Sequence, residues 1–152
     1  MALNQNQFAI TTLKGTLDSG RSITCQYYNA DPVAAIVPGE FVMIADVASS
    51  LAPAVTVVKK GVNRASSYLG MVLTNPLTAS YVSGQKLEVA ILGTIAMVET
   101  SSAIAAGASL GYDPTDPGRV IGAGPGETKV GLALEKAPSA GTLIRALINT
   151  QF

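Results

Sequence analysis

The sequence predicts an all-β domain of closed or sandwich-like architecture, and two observations support this class. Apolar and polar residues alternate through the stretch 83–99, and glycine or proline interrupts the chain at short intervals elsewhere. Alternation with a period of two places one row of side chains in the core and the other toward solvent. Several short strands broken by Gly and Pro are typical of barrels and sandwiches, and closure removes exposed strand edges.

The stretch 83–99 is the element around which the chain is organised. Its apolar row continues in phase across Gly93: Leu87, Val89, Ile91, Ile95 and Met97. A helix is disfavoured because glycine and β-branched residues lower helix propensity. We predict one long strand bent at Gly93, or two short strands in register.

Before this stretch, the first twenty residues carry scattered apolar side chains without strong periodicity. They fit an extended arm, 1–20, and equally a frayed terminus or a first edge strand. Further on we predict a strand at 21–28, a turn at 29–32 and a short apolar run at 33–37 that ends at Pro38-Gly39.

Minor helical turns are expected beside the strands. A long insert, 46–67, is predicted to hold a helical turn at 47–51 and a strand at 54–59, and a second short helix is predicted at 101–106. Turns at 114–118 and 122–126 flank a predicted strand at 119–121, and another strand follows at 128–135.

Three glycine-centred blocks occur twice in the same order, which predicts an internal repeat within one β domain, 21–152. Gly39 corresponds to Gly107, Gly70 to Gly131 and Gly84 to Gly141. The two units, 38–98 and 106–148, differ mainly in the lengths of their loops, and loops absorb insertions more easily than strands. Gly93 is expected near the passage between the units.

Composition argues against nucleic acid and membrane as partners. Ten basic and ten acidic residues cancel, and charged residues make up only 13% of the chain, so no basic surface is indicated. The longest nearly apolar run, 89–98, is too short to cross a bilayer, and the N-terminus does not resemble a secretory signal. Cys25 is alone and is expected to be a small buried side chain.

No catalytic, cofactor or metal site is expected. Histidine is absent, which removes the commonest general base and metal ligand, and one cysteine cannot build a thiolate zinc site. Asp113 and Asp116 each precede a proline and are interpreted as turn residues rather than calcium ligands. The glycines of 122–126 resemble a phosphate-binding loop, but a strand follows them where a helix is required.

The run from Leu69 to Ile148 resembles the capsid decoration, or cement, proteins of tailed bacteriophages. Three segments carry the resemblance: LGMVLTNPLTASYVSGQKLEVAILGTIAMVE (69–99), IAAGASLGYDPTDPGRV (104–120) and KVGLALEKAPSAGTLIRALI (129–148). The resemblance implies a β-barrel or β-tulip domain that binds the outside of an assembled capsid and bridges capsomers. It further implies a virion protein, made in the bacterial host cytoplasm, whose partners are the major capsid protein and further copies of itself, with a trimer favoured over a dimer.

The arm is then predicted to contact the capsid or a neighbouring copy through Leu3, Asn4, Phe8, Ile10 and Leu13. The alternative is a non-catalytic ligand-binding module, such as a carbohydrate-binding β domain. Against it, tryptophan is absent and aromatic residues form only 5% of the chain, whereas sugar sites use aromatic platforms.

Overall fold

The computed structural model describes residues 14–15, 24–29, 35–45, 57–61, 68–75, 77–113, 115–116 and 118–149. Within these ranges the chain is all-β, as predicted. The strands are β1 (Thr24–Asn29), β2 (Phe41–Ile44), β3 (Val57–Lys60), β4 (Gly70–Val72), β5 (Lys86–Ala90), β6 (Ile95–Thr100), β7 (Ser109–Asp113), β8 (Arg119–Gly122), β9 (Lys129–Ala133) and β10 (Leu143–Ile148).

The strands form two closed barrels of five strands each. The first has the order β1-β3-β2-β4-β5, closed by the antiparallel pairing of β5 with β1, and the second has the order β6-β8-β7-β9-β10, closed by β10 with β6. In each barrel the first and third strands along the chain are parallel, and the other neighbours are antiparallel. The two barrels therefore share one strand order and one set of strand directions.

Backbone hydrogen bonds outside the strands also correspond between the barrels. Gly39 N–H donates to the Val72 carbonyl at 2.8 Å, and Gly107 N–H donates to the Ala133 carbonyl at 2.8 Å. The antiparallel bridge of Ile36 with Tyr81 in the first barrel matches that of Ile104 with Ala137 in the second. Both Gly39 and Gly107 have positive φ, 87° and 80°, a conformation that only glycine adopts at low cost.

A tight turn joins the barrels and corrects one prediction. Residues 91–94 form a β-turn in which Thr94 N–H donates to the Ile91 carbonyl at 3.1 Å and Gly93 has φ 90°. β5 and β6 are therefore two strands in different barrels, and they are not one bent strand. The turn also changes the phase: Ala96 and Val98 are buried, while Ile95 and Met97, predicted as core residues, are only half-buried.

The predicted helix at 101–106 is wrong. Ile104 instead pairs with Ala137 as an antiparallel bridge, and Ala108 N–H donates to the Ala105 carbonyl in a turn that contains Gly107. The bridge to Ala137 is favoured over a local helix because it buries Ile104 in the core. The predictions for the insert at 47–51 and for the Cys25 side chain lie outside the described residues. The predicted turn at 29–32 begins at Asn29, which is the last residue of β1, and the rest of it is not described.

Two hydrophobic clusters fill the molecule. One lies within the first barrel and includes Val42, Val58, Val72, Leu87 and Val89. The other combines the second barrel with residues of the first, so it continues across the contact between the barrels. An aromatic trio marks that contact: the ring centroid of Tyr112 lies 5.5 Å from those of Phe41 and Tyr68, and these last two are 6.1 Å apart.

Candidate docking surface

Asp113 and Asp116, the acidic pair considered as calcium ligands, are engaged in turn contacts. Asp113 Oδ1 accepts hydrogen bonds from the N–H and the hydroxyl of Thr115, at 3.0 and 2.6 Å, and Asp116 Oδ2 accepts one from Arg119 at 2.7 Å. Among the described ranges no group of three or more His, Cys, Asp or Glu residues is placed to hold a metal ion. Asp113 and Asp116 therefore stabilise the turn between β7 and β8.

Lys14 and Gly15 connect the two barrels. Thr74, just after β4, donates its N–H to the Gly15 carbonyl at 3.1 Å and its hydroxyl to the Lys14 carbonyl at 2.6 Å. Gly15 N–H in turn donates to the carbonyl of Met97 on β6 at 2.9 Å. The Lys14 side chain lies over Gly39 of the first barrel and Gly118 of the second. We call Lys14–Gly15 the strap.

The strap lies between strands of the two barrels. Leu73 N–H donates to the Glu88 carbonyl, so the chain after β4 continues along β5 as far as Thr74. Gly15 bonds Thr74 on one side and Met97 of β6 on the other, so the strap bridges the extension of β4 and the middle of β6.

Two matching turns occupy corresponding places in the two barrels. The turn 82–85 precedes β5, where Gly84 N–H donates to the Asn29 carbonyl at 2.7 Å; the turn 139–142 precedes β10, where Gly141 N–H donates to the Thr100 carbonyl at 2.7 Å. Gly84 and Gly141 have φ 81° and 75°, and a Cβ on either glycine would meet no atom within 4 Å.

The chain between β4 and β5 exposes apolar side chains. Leu77 is 92% exposed at the tip of the loop after β4, and Val82 is 53% exposed on the turn 82–85. A groove of about 660 Å³ lies beside Leu77 and is lined mainly by Val37, Pro38, Ala79 and the stem of Lys14. Exposed apolar patches of this kind commonly mark interaction sites on soluble proteins.

Three buried or partly exposed charged side chains form hydrogen bonds within the chain. Arg119 on β8 donates to Glu99 at 2.7 Å and to Asp116 at 2.7 Å, and these contacts raise its pKa. Arg145 on β10 donates to Glu135 at 2.8 Å. Glu40 is fully buried, and its Oε2 accepts the Val37 N–H at 2.8 Å. These groups therefore have partners within the chain.

The predicted interface residues Leu3, Asn4, Phe8, Ile10 and Leu13 lie outside the described residues, so their contacts remain a prediction. Sequence reasoning missed the strap and the exposed Leu77. No periodicity marks Lys14-Gly15, and no pattern in the sequence reveals that Leu77 faces solvent. No helix in the described ranges is long and apolar enough to cross a membrane.

Comparison with known proteins identifies a matching family and a solved structure of similar fold. A family model described as phage cement protein matches residues 20–148. The crystal structure of the head fiber gp8.5 N base of bacteriophage phi29 is similar with a TM-score of 0.57 and 12% sequence identity, over 87% of this chain and 98% of that one. At this identity the likeness shows the fold alone. None of the curated proteins compared with the chain matches it significantly.

Proposed function

The chain belongs to the phage cement protein family, a family of capsid-associated structural proteins, and from this premise we propose that it binds the outer surface of the assembled capsid and stabilises the shell by bridging capsomers. The observation that carries the proposal is the family match, which spans both barrels. A protein that binds the assembled shell better than the free subunits stabilises the shell by mass action, without any reaction. The proposed role is therefore structural and not enzymatic.

The two-barrel body supports this role by its rigidity. Closed barrels leave no exposed sheet edges within themselves, and a hydrophobic cluster shared by both barrels and the strap hold them together. A rigid body loses little conformational freedom on docking, so modest contacts suffice for each copy. Many copies, each spanning a seam between capsomers, then add up to a large stabilisation of the shell.

The partners proposed are the major capsid protein and further copies of this chain, with a trimer favoured over a dimer. We further propose that the chain is made in the bacterial host cytoplasm and assembles onto the exterior of the capsid. The residues before the strap are proposed to contact the capsid or a neighbouring copy through Leu3, Asn4, Phe8, Ile10 and Leu13. Apolar side chains scattered through a largely polar stretch suit a segment that orders on docking.

Co-sedimentation with purified capsids tests the proposal. The parent chain should pellet with expanded capsids and raise the temperature at which the capsids break open. It should not bind immobilised glycans. Binding to glycans with no affinity for capsids would favour the carbohydrate-binding alternative and overturn the proposal.

A truncation tests the arm separately. Deletion of residues 2–12 keeps the strap, so the barrels should melt as in the parent while capsid binding falls sharply. Replacing Phe8 and Ile10 by serine should reproduce the loss, whereas replacing Gln5 and Gln7 by serine should not. Undiminished binding after the deletion would remove the arm from the proposed interface.

A further inference from the structure

Each barrel carries a row of cross-strand partners on its outer face. In the first barrel the row consists of Phe41, Met71 and Ala90. In the second barrel the row at the corresponding register consists of Ser109, Leu132, Leu147 and Ile95. The chain neighbours of these residues are buried inside the barrels, among them Val42, Val72, Ala133 and Ala146. Because side chains alternate across a strand, each row faces outward, and we call it the outer row.

Each barrel also has an apolar end. In the first barrel the antiparallel registers bring together the end of β2, the start of β4 and the end of β5, and the apolar residues there are Ile44, Leu69 and Ile91. In the second barrel the corresponding residues are Tyr112, Val130 and Ile148, since β7, β9 and β10 pair in the same registers. We call each set of three the barrel end.

Within the chain, the end of the second barrel packs on the outer row of the first. The ring centroid of Tyr112 lies 5.5 Å from that of Phe41. Val130 and Ile148 belong to the same hydrophobic cluster as Met71. Each residue of these two surfaces is at most 1% exposed, so the contact covers both surfaces completely.

The counterparts of these two surfaces in the other barrels are not covered. Ile44 is 51% exposed, although Tyr112 at the corresponding position is almost completely buried. Leu92, which follows Ile91 in the chain, is 49% exposed. The apolar residues of the outer row of the second barrel are all only half-buried: Leu132, Leu147 and Ile95. The chain thus leaves one barrel end and one apolar outer row open to a partner.

We propose that copies of this chain associate head to tail, with the first-barrel end of one copy on the second-barrel outer row of the next. The contact repeats between chains the packing that the two barrels form within one chain, with Ile44 in the place of Tyr112 and Leu132 in the place of Met71. The occupant is a second copy because a barrel end already fits an outer row in this molecule, and each chain presents the uncovered version of both.

The inference deepens the proposed function, in which further copies of the chain are partners, and rests on it for that expectation alone. The contact joins two different surfaces, so each copy uses both of them when the assembly closes into a ring. A contact through one surface only would leave the other surface of each copy exposed.

Arginine substitutions on the two surfaces test the proposal in sedimentation equilibrium of the free chain. Ile44→Arg changes the barrel end and Leu132→Arg changes the outer row. Each should weaken self-association by about 10²-fold, because burying a charge without a partner is costly. Leu92→Arg and Leu147→Arg repeat the two changes at second positions, and circular dichroism and melting temperature identify the variants that fold as the parent does.

Val82→Arg is the matched control. Val82 is 53% exposed, about as much as Ile44, and it precedes β5, whose opposite end leads into Ile91. The same charge is therefore added to the same barrel at its other end. This variant should self-associate as the parent does.

A mixture distinguishes head-to-tail contact from contact between identical surfaces. Copies with Ile44→Arg keep an intact outer row, and copies with Leu132→Arg keep an intact barrel end. An equimolar mixture should therefore form a two-chain complex, although neither variant associates alone. An interface between identical surfaces would give no such rescue.

The outcomes separate this inference from the proposed function. A parent chain that is monomeric at every concentration, arginine variants that associate like the parent, or a mixture without the two-chain complex would overturn head-to-tail association. Capsid co-sedimentation is measured separately. Capsid binding by a monomeric parent would leave the proposed capsid role standing, whereas head-to-tail association without capsid binding would overturn that role alone.

Discussion

The ring centroids of Phe41 and Tyr112 lie 5.5 Å apart across the contact between the two barrels. Both side chains are almost completely buried, and Phe41 also meets Tyr68 edge-on. Aromatic pairs of this separation contribute about 0.5–1.5 kcal/mol beyond the burial of their area. The contact therefore contributes to holding the two barrels together.

Phe41→Ala should lower the free energy of unfolding by about 3–5 kcal/mol, because it removes a large buried side chain and leaves a cavity between the barrels. Urea denaturation followed by circular dichroism measures the loss. Phe41→Leu, which keeps most of the volume, should cost much less. A loss below about 1 kcal/mol for the alanine variant would show that the barrels do not depend on this contact.

The free energy of unfolding should fall at alkaline pH, and ionisation of the Tyr112 hydroxyl should cause part of the fall. Burial, and next the nearby Glu40 carboxylate, raise the pKa of Tyr112 well above its ordinary value of 10.0. The folded chain then holds this proton more tightly than the unfolded chain, so its contribution is complete below pH 10 and declines as the pH rises further. Burial, and next Glu88, also raise the pKa of Tyr81.

Urea unfolding at a series of pH values from 8 to 11 measures this dependence. Tyr112→Phe should flatten the decline above pH 10, since phenylalanine has no proton to lose. An identical decline in the parent and in this variant would assign the effect to other groups.

Gly15→Ala should destabilise the chain more than Gly84→Ala does. Both glycines have φ 81°, so alanine pays the same conformational cost of about 1–2 kcal/mol at each. A Cβ on Gly15 would also lie 2.9 Å from the Val72 carbonyl oxygen, whereas one on Gly84 would meet no atom within 4 Å. Thermal denaturation of the two variants compares them directly, and equal losses would contradict the close packing of the strap.

Gly131→Ala and Gly122→Ala should change stability in opposite directions. A Cβ on Gly131 in β9 would lie 2.7 Å from the Leu147 carbonyl oxygen, so the adjacent strand must shift at a cost of about 1–3 kcal/mol. Gly122 in β8 is exposed and has open space, and alanine there should stabilise by about 0.5 kcal/mol by restricting the unfolded chain. Denaturant midpoints measure both, and a destabilised Gly122→Ala variant would contradict the open environment.

The alternating pattern predicted the all-β class and several strands correctly. Leu87 and Val89 are buried as expected, and the strand predicted at 119–121 is β8. These features are local, because alternation and turn residues act over a few positions. When the alternation and the turn residues favour the same structure, tertiary contacts seldom override them. The prediction of a domain that binds a capsid as a phage cement protein also came from sequence, by resemblance, and the family match agrees with it.

The phase of β6 could not be predicted in the same way. Ile95 and Met97 are larger than Ala96, so size alone favoured them as core residues, yet Ala96 and Val98 face the core. The turn at 91–94 reverses the chain and changes which face of the following strand is buried. A shift of one residue inverts every side chain of a strand, and only the packed neighbours decide it.

Sequence by itself determined the kind of secondary structure, the glycine turns and the family, because each depends on residues close together in the chain. Tertiary structure alone decided which strands pair to close each barrel and the placement of Lys14 and Gly15 between the barrels. The physical reason is that these features depend on hydrogen bonds and side-chain packing between residues more than fifty positions apart, such as Gly15 with Thr74 and Phe41 with Tyr112. Such contacts form only when the whole chain closes around its core.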